Sequence, residues 1–234
     1  AGPTADRMTP RIKQTAKLLW GIYVGLVLLL TLILYFEGMT FFDSLCHSFG
    51  TMATGGFSTH SLSIGYFSSA IIEWTLIIFM FIAATNFTLH YSFLSKGKFH
   101  YFKDEEFRIY LYTFILFSVL IFVNINYHHV FTWSFESLRH ALFSTVSILT
   151  TTGYGTENFE LWPNLSQTLI FTLLFIGGSS GSTTGGLKII RSVLIFKYLI
   201  YEMKKLIVFI FSILLLSSCQ KDNNDCNEAI PYCN

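Results

Sequence analysis

Three uninterrupted apolar runs limit what this chain can become. They are Leu18–Phe36, Ala70–Phe93 and Ile109–Ile125. At about 1.5 Å per residue, helices of this length cross about 30 Å of hydrocarbon. A fourth run starts at Leu165, breaks at Gly177 and resumes with Leu187-Lys188-Ile189-Ile190-Arg191. The 234 residues are 52% hydrophobic and 12% charged, against about 25% charged in ordinary soluble domains. The expected fold class is all-α integral membrane. A net charge of +1, with no basic patch interleaved with aromatics, gives no reason to expect a nucleic-acid partner.

Basic residues orient the spans. Arg7, Arg11, Lys13 and Lys17 precede the first; Lys96, Lys98, Lys103 and Arg108 separate the second from the third; Lys188, Arg191, Lys197, Lys204 and Lys205 follow the break in the fourth. Arg139 is the one basic residue in the two long connections, 37–69 and 126–164. The N-terminus, the middle loop and the end of the fourth segment therefore read as cytoplasmic, and the long connections as outward-facing.

Those connections are too apolar to be solvated loops. Each reads as a short helix followed by a Thr/Gly turn, and the two align without gaps at an offset of 97. "SFGTMATGGFST" (48–59) lies on "TVSILTTTGYGT" (145–156), so Gly56 matches Gly153, Phe57 matches Tyr154 and Thr59 matches Thr156. The chain is read as a tandem repeat of span, pore helix, filter loop and span. Its expected divisions are a cytoplasmic segment (1–17), a first pore repeat (18–95), a cytoplasmic loop (96–108), a second pore repeat with a broken last helix (109–202) and an atypical tail (203–234).

Non-helical backbone at membrane depth is tolerated where protein buries it or where it lines a watery path. A helix that dips in and returns through an extended turn can aim carbonyls at an axis, replacing the hydration shell of a potassium ion. Thr151-Thr152-Gly153-Tyr154-Gly155 differs from the T-V-G-Y-G filter pattern only by Thr for Val. Glycine suits backbone conformations that L-residues resist, and Tyr154 and Phe57 are expected to pack behind the turns and set their width. An ordinary Gly turn is the alternative for one copy alone; two copies at equivalent places argue against it. Asp43, Glu136, Glu157 and Glu160 fall on the same outward side, with Glu157 placed to concentrate cations or simply to be solvated. The break, "GGSSGSTTGG" at 177–186, reads as an intramembrane loop obstructing the path and thus as a gate. A phosphate-binding loop is disfavoured, because no Ser or Thr follows Lys188.

In order along the chain, "MTPRIKQTAKLLW", "ATGGFSTH", "TTTGYGTENFELWP" and "GSTTGGLKIIR" resemble the Trk/Ktr/HKT superfamily of potassium transporters, in its TrkH type, over about residues 8–202. The resemblance implies two of four repeats around one pore, the second and third. It places filter carbonyls at Thr54, Gly55, Gly56 and Phe57 and at Thr151, Thr152, Gly153 and Tyr154. The gating loop it implies is Gly177, Gly178, Ser179, Ser180, Gly181, Ser182, Thr183, Thr184, Gly185 and Gly186. It further implies a homodimer in the bacterial inner membrane, cytoplasmic nucleotide-binding regulatory subunits, K⁺ as the transported ion, and no enzyme chemistry, cofactor or other metal.

His47, His60, His90 and His140 read as packing or hydrogen-bonding residues, with Asn86 and His90 facing the protein interior. Cys46, Cys219, Cys226 and Cys233 show no C-x-x-C spacing. From Met203 the tail resembles a lipoprotein signal, with Lys204, Lys205, an apolar core and Leu216-Ser217-Ser218-Cys219. It suggests a chimeric product, or else a short extra span; lipidation at Cys219 is not expected at an internal site. The expected function is potassium translocation, the alternative a nonconducting fragment or regulatory subunit.

Overall fold

The structure is a computed structural model that describes residues 5–96, 101–128, 130 and 134–207. Helices account for nearly all of its regular backbone: α1 (Ala5–Phe36), α2 (Phe41–Met52), α3 (Ala70–Ala83), α4 (Phe87–Lys96), α5 (Glu105–Tyr127), α6 (Phe135–Leu149) and α7 (Asn164–Leu173), then α8 over 189–207. The chain divides into two compact units, Ala1–Ile190 and Arg191–Asn234. In the second, residues 191–207 are helical, and Leu194, Phe196, Leu199 and Leu206 are exposed. Most of the lipoprotein-like tail, including Cys219, lies outside the described residues.

Two helical stretches, Gln14–Phe36 and Glu105–Tyr127, are each long and apolar enough to cross a membrane. Leu28, Leu32 and Phe36 on the first stay exposed, as suits a surface solvated by lipid. The helix begins at Ala5, before the apolar run.

Side-chain caps fix several helix starts. Thr40 Oγ1 accepts from the Asp43 N–H and caps α2. Asp104 caps α5 through the Phe107 N–H at 2.8 Å. Ser134 and Ser137 form a reciprocal box at the start of α6. Each such cap satisfies amides that have no intrahelical acceptor.

One expectation is corrected. Ala70–Phe93 is not a single straight helix: α3 stops at Ala83, α4 starts at Phe87, and the two bend by 97°. The backbone freed at the bend is satisfied from a distance. Ser179 N–H donates to Ala84 O at 2.9 Å, Thr183 Oγ1 to Ala83 O at 3.2 Å, and Phe87 N–H to Gly181 O at 3.2 Å. Asn86 Oδ1 accepts from the Thr88 N–H at 2.9 Å and caps α4. His90 is buried between Tyr101 Oη and Ile82 O, and Asn86 is half-buried.

The repeats share their interior. One cluster joins Leu30 and Leu34 of α1, Met52 of α2, Leu76 and Met80 of α3, Phe143 and Val146 of α6, and Tyr154. A second joins Tyr110, Leu149, Leu173 and Ile189. Arg139 on α6 reaches Glu73 on α3 at 2.8 Å, both largely buried, so an ion pair also ties one repeat to the other.

Candidate functional site

The helices α2 and α6 are too short to span, and each ends in a turn whose geometry repeats across the offset of 97. In the first turn Thr54 and Gly56 have positive φ (51° and 65°); in the second Thr151 and Gly153 do (55° and 85°). Gly55 and Thr152, between them, do not. Alternating the sign of φ turns successive peptide planes so that neighbouring carbonyls fall towards one side. The two non-glycine residues carry real strain, which survives where surrounding structure enforces it.

Hydrogen bonds that enforce it also repeat. Gly55 and Gly56 N–H both donate to Gly50 O, at 2.8 and 3.3 Å; Thr152 and Gly153 N–H both donate to Ser147 O, at 2.9 and 3.1 Å. Thr54 N–H reaches Thr51 O at 3.1 Å, and Thr151 N–H reaches Ile148 O at 2.9 Å. Each turn thus hangs from the last turn of its own helix by the same bonds.

The turns also touch. A Cβ added to Gly56 would stand 1.8 Å from Thr152 O, so the two backbones are in direct contact there. Further out, Gly65 N–H donates to Gly155 O at 3.2 Å, and Ser63 Oγ accepts from Gly155 N–H at 3.3 Å.

The two aromatic residues part company. Tyr154 is buried, with its ring 5.9 Å from that of His47 on α2. Phe57 is 82% exposed, contrary to the expectation that it packs behind its turn. The difference is directional: Tyr154 packs on α2 of the other repeat, whereas none of the described helices covers Phe57.

The Gly/Ser/Thr loop, 177–186, lies against both strained threonines. Thr54 Oγ1 donates to Thr183 O at 3.1 Å, and Gly185 N–H donates to Thr151 Oγ1 at 2.7 Å. Sequence reading missed how firmly the loop is tied. Glu106 Oε1 accepts from the Ser180 N–H at 2.5 Å, Gly177 N–H donates to Leu187 O at 2.7 Å, and Ile189 N–H donates to Gly178 O at 3.1 Å. Lys188 Nζ donates to the Thr184 carbonyl within the same loop. Glu106 carries no local signal of this role, since its partner lies 74 residues away.

Near the start of α2, Asp43 accepts from Thr40 Oγ1 at 2.7 Å and Thr59 Oγ1 at 2.6 Å, with His60 Nε2 at 3.6 Å. Those hydroxyls, Thr40 first, hold its carboxyl below the ordinary carboxylate range. Among the described residues, no His, Cys, Asp and Glu cluster could hold a metal ion. His47 is used in hydrogen bonds to Asp43 O and Ser58 Oγ.

The family model described as "TrkH: Cation transport protein" matches residues 4–213, so the match runs ten residues past Met203. The chain is 43% identical over 210 residues to the Trk system potassium uptake protein TrkH of Vibrio parahaemolyticus, covering 88% of this chain and 43% of that protein. It is 42% identical over 208 residues to TrkH of Escherichia coli, with the same coverage. The crystal structure of the potassium transporter TrkH from Vibrio parahaemolyticus superposes with a TM-score of 0.80 at 42% identity, over 85% of this chain and 43% of that one. The chain therefore spans less than half the length of the relatives it matches. These relatives are transporters rather than enzymes, and the helical, membrane-compatible fold agrees with theirs. By sequence over most of its length and by fold, the chain belongs to the TrkH family of cation transport proteins.

Proposed function

We propose that this chain supplies two quadrants of a potassium-selective path across the bacterial inner membrane. The filter carbonyls lie in Thr54–Phe57 and Thr151–Tyr154, and the loop 177–186 is the gate beneath them. The observation that carries the reading is the repeated pair of positive-φ residues, Thr54 and Gly56 against Thr151 and Gly153, each pair hung from its helix by the same bonds. A carbonyl ring needs such backbone at membrane depth, and few other uses justify its strain. The contacts of Thr183 and Gly185 with Thr54 and Thr151 support the gate, since a loop leaning on the turns obstructs whatever passes between them. The transported ion follows the names of the relatives.

On this reading the chain is multi-pass with its N-terminus cytoplasmic, in keeping with the basic residues at the N-terminus, the middle loop and the end of the fourth segment. Homodimerisation and a cytoplasmic nucleotide-binding regulatory subunit belong to the same proposal through the family.

Exposed Phe57 and the 43% coverage favour a second point: two loops do not enclose a four-loop pore. The 234-residue chain reconstituted alone is expected to pass no selective K⁺ current, and co-expression with two further repeats is expected to restore it. Robust K⁺-selective flux from the chain alone would point instead to a two-chain pore. Failure of the complete assembly to conduct would favour a nonconducting or regulatory role.

A further inference from the structure

We infer that the Tyr154 hydroxyl positions the first repeat's turn, holding the Phe57 carbonyl where the second repeat uses its own Ser147. The inference rests on the filter reading above and names a residue that sets the filter's shape across the repeat boundary.

The turns correspond residue by residue, but the helix position that anchors them does not: it is Gly50 in the first repeat and Ser147 in the second. Ser147 Oγ donates to Tyr154 O at 2.7 Å in a buried bond. A carbonyl oxygen has two lone pairs, so it can accept this bond and still present the other to an ion. Gly50 has no hydroxyl to offer Phe57, the residue equivalent to Tyr154.

That place is nonetheless filled. A Cβ on Gly50 would stand 2.4 Å from Tyr154 Oη and 3.1 Å from Phe57 O. Tyr154 Oη lies 3.4 Å from Phe57 O and 3.1 Å from His47 O. His47 O already accepts from Thr51 Oγ1 at 2.6 Å, whereas among the described residues Tyr154 is the one donor to Phe57 O. The second repeat's tyrosine thus occupies the volume of a serine the first repeat lacks, and its one hydroxyl proton is shared between His47 O, the nearer acceptor, and Phe57 O, which has no other donor among the described residues. Glycine at 50 is what admits the tyrosine.

The test is a compensating exchange. Tyr154→Phe removes the hydroxyl; a Cβ at position 50 then meets the ring carbon at 3.5 Å, an ordinary contact, and Phe57 O at 3.1 Å, a tight one that the turn must relieve by a few tenths of an ångström in the serine and alanine doubles alike. A serine there could reach Phe57 O as Ser147 reaches Tyr154 O. Thermal unfolding of the detergent-solubilised chain is measured for Tyr154→Phe, Gly50→Ser, the double variant, and Gly50→Ala with Tyr154→Phe. Tyr154→Phe should lower the folded-to-unfolded ratio about fivefold, the weight of one net hydrogen bond, and Gly50→Ser should lower it at least as much, because its Cβ would stand 2.4 Å from Tyr154 Oη. The serine double should recover most of the loss and the alanine double should not, which separates the bond from simple filling. The K⁺/Na⁺ permeability ratio of the same variants, co-expressed with two further repeats, should fall in Tyr154→Phe and recover in the serine double. Additive losses in stability, or equal rescue by alanine, would overturn the inference. Rescue of stability by serine alone, with a permeability ratio constant throughout, would uphold the bond and overturn the filter reading instead.

Discussion

Gly56 and Gly153 are equivalent in sequence and both have positive φ, but alanine should affect them very differently. At Gly153, with φ 85°, a Cβ would meet nothing within 4 Å. Gly153→Ala therefore costs only the conformational penalty of an L-residue there, about 1–2 kcal/mol. At Gly56, with φ 65°, the Cβ would lie 1.8 Å from Thr152 O and 2.8 Å from the carbon that bears it. Real Cβ contacts stay beyond 3.0 Å, so the backbones must part by more than about 1 Å, against Thr152, which is buried. Gly56→Ala carries the same conformational penalty plus that displacement, and the atom displaced is a proposed filter carbonyl. Thermal unfolding in detergent should show a loss of about 1–2 kcal/mol for Gly153→Ala and a clearly larger one for Gly56→Ala. In the complete assembly, Gly56→Ala should also degrade the K⁺/Na⁺ ratio more. Equal stability losses, or a greater loss at Gly153, would refute the reasoning, because only the contact with Thr152 distinguishes the two sites.

Glu106→Gln weakens the charge-assisted bond to Ser180 N–H and should raise Rb⁺ uptake by the complete assembly, as should a short deletion within 177–186; a fall in uptake by protein that remains folded and inserted would count against the gate. Arg139→Gln leaves Glu73 buried without its partner and should cost about 3–5 kcal/mol in thermal unfolding, most of it recovered when Glu73→Gln is added. Asp43, its carboxyl held low by Thr40 and Thr59, contributes stability above its unfolded pKa of about 4 and loses it as pH falls through the lower folded value; Asp43→Asn should flatten the acid limb of a stability–pH curve below about pH 4.

The repeat was legible because its signal is periodic: an ungapped offset of 97 pairs Thr54 with Thr151 and Gly56 with Gly153, and the backbone repeats at those residues. The break at 177–186 was legible because five glycines in ten residues cannot sustain a helix. The bend between α3 and α4 was not. Ala83-Ala84-Thr85-Asn86-Phe87 contains neither Gly nor Pro, and its one local hint is Asn86 two residues before Thr88, a capping pattern. What holds the bend is a set of groups about 100 residues distant, which no local pattern displays. Exposure of Phe57 escaped for a related reason: its sequence position matches that of Tyr154, but burial depends on which neighbour stands beside it.

The bend and the loop are each other's solvent. Water would ordinarily hydrate the carbonyls of Ala83 and Ala84 and the amide of Phe87 where a helix parts. In an apolar surround that service falls to Thr183, Ser179 and Gly181, and the helix ends satisfy the loop in return. Thermodynamic linkage follows. Moving the loop away without replacing those bonds strands several backbone groups, at a cost of about 1–3 kcal/mol for each one left buried. Straightening α3 into α4 would re-pair the helix internally and leave the loop needing new partners. Neither segment relaxes cheaply alone, so a signal that displaces one also shifts the conformational equilibrium of the other.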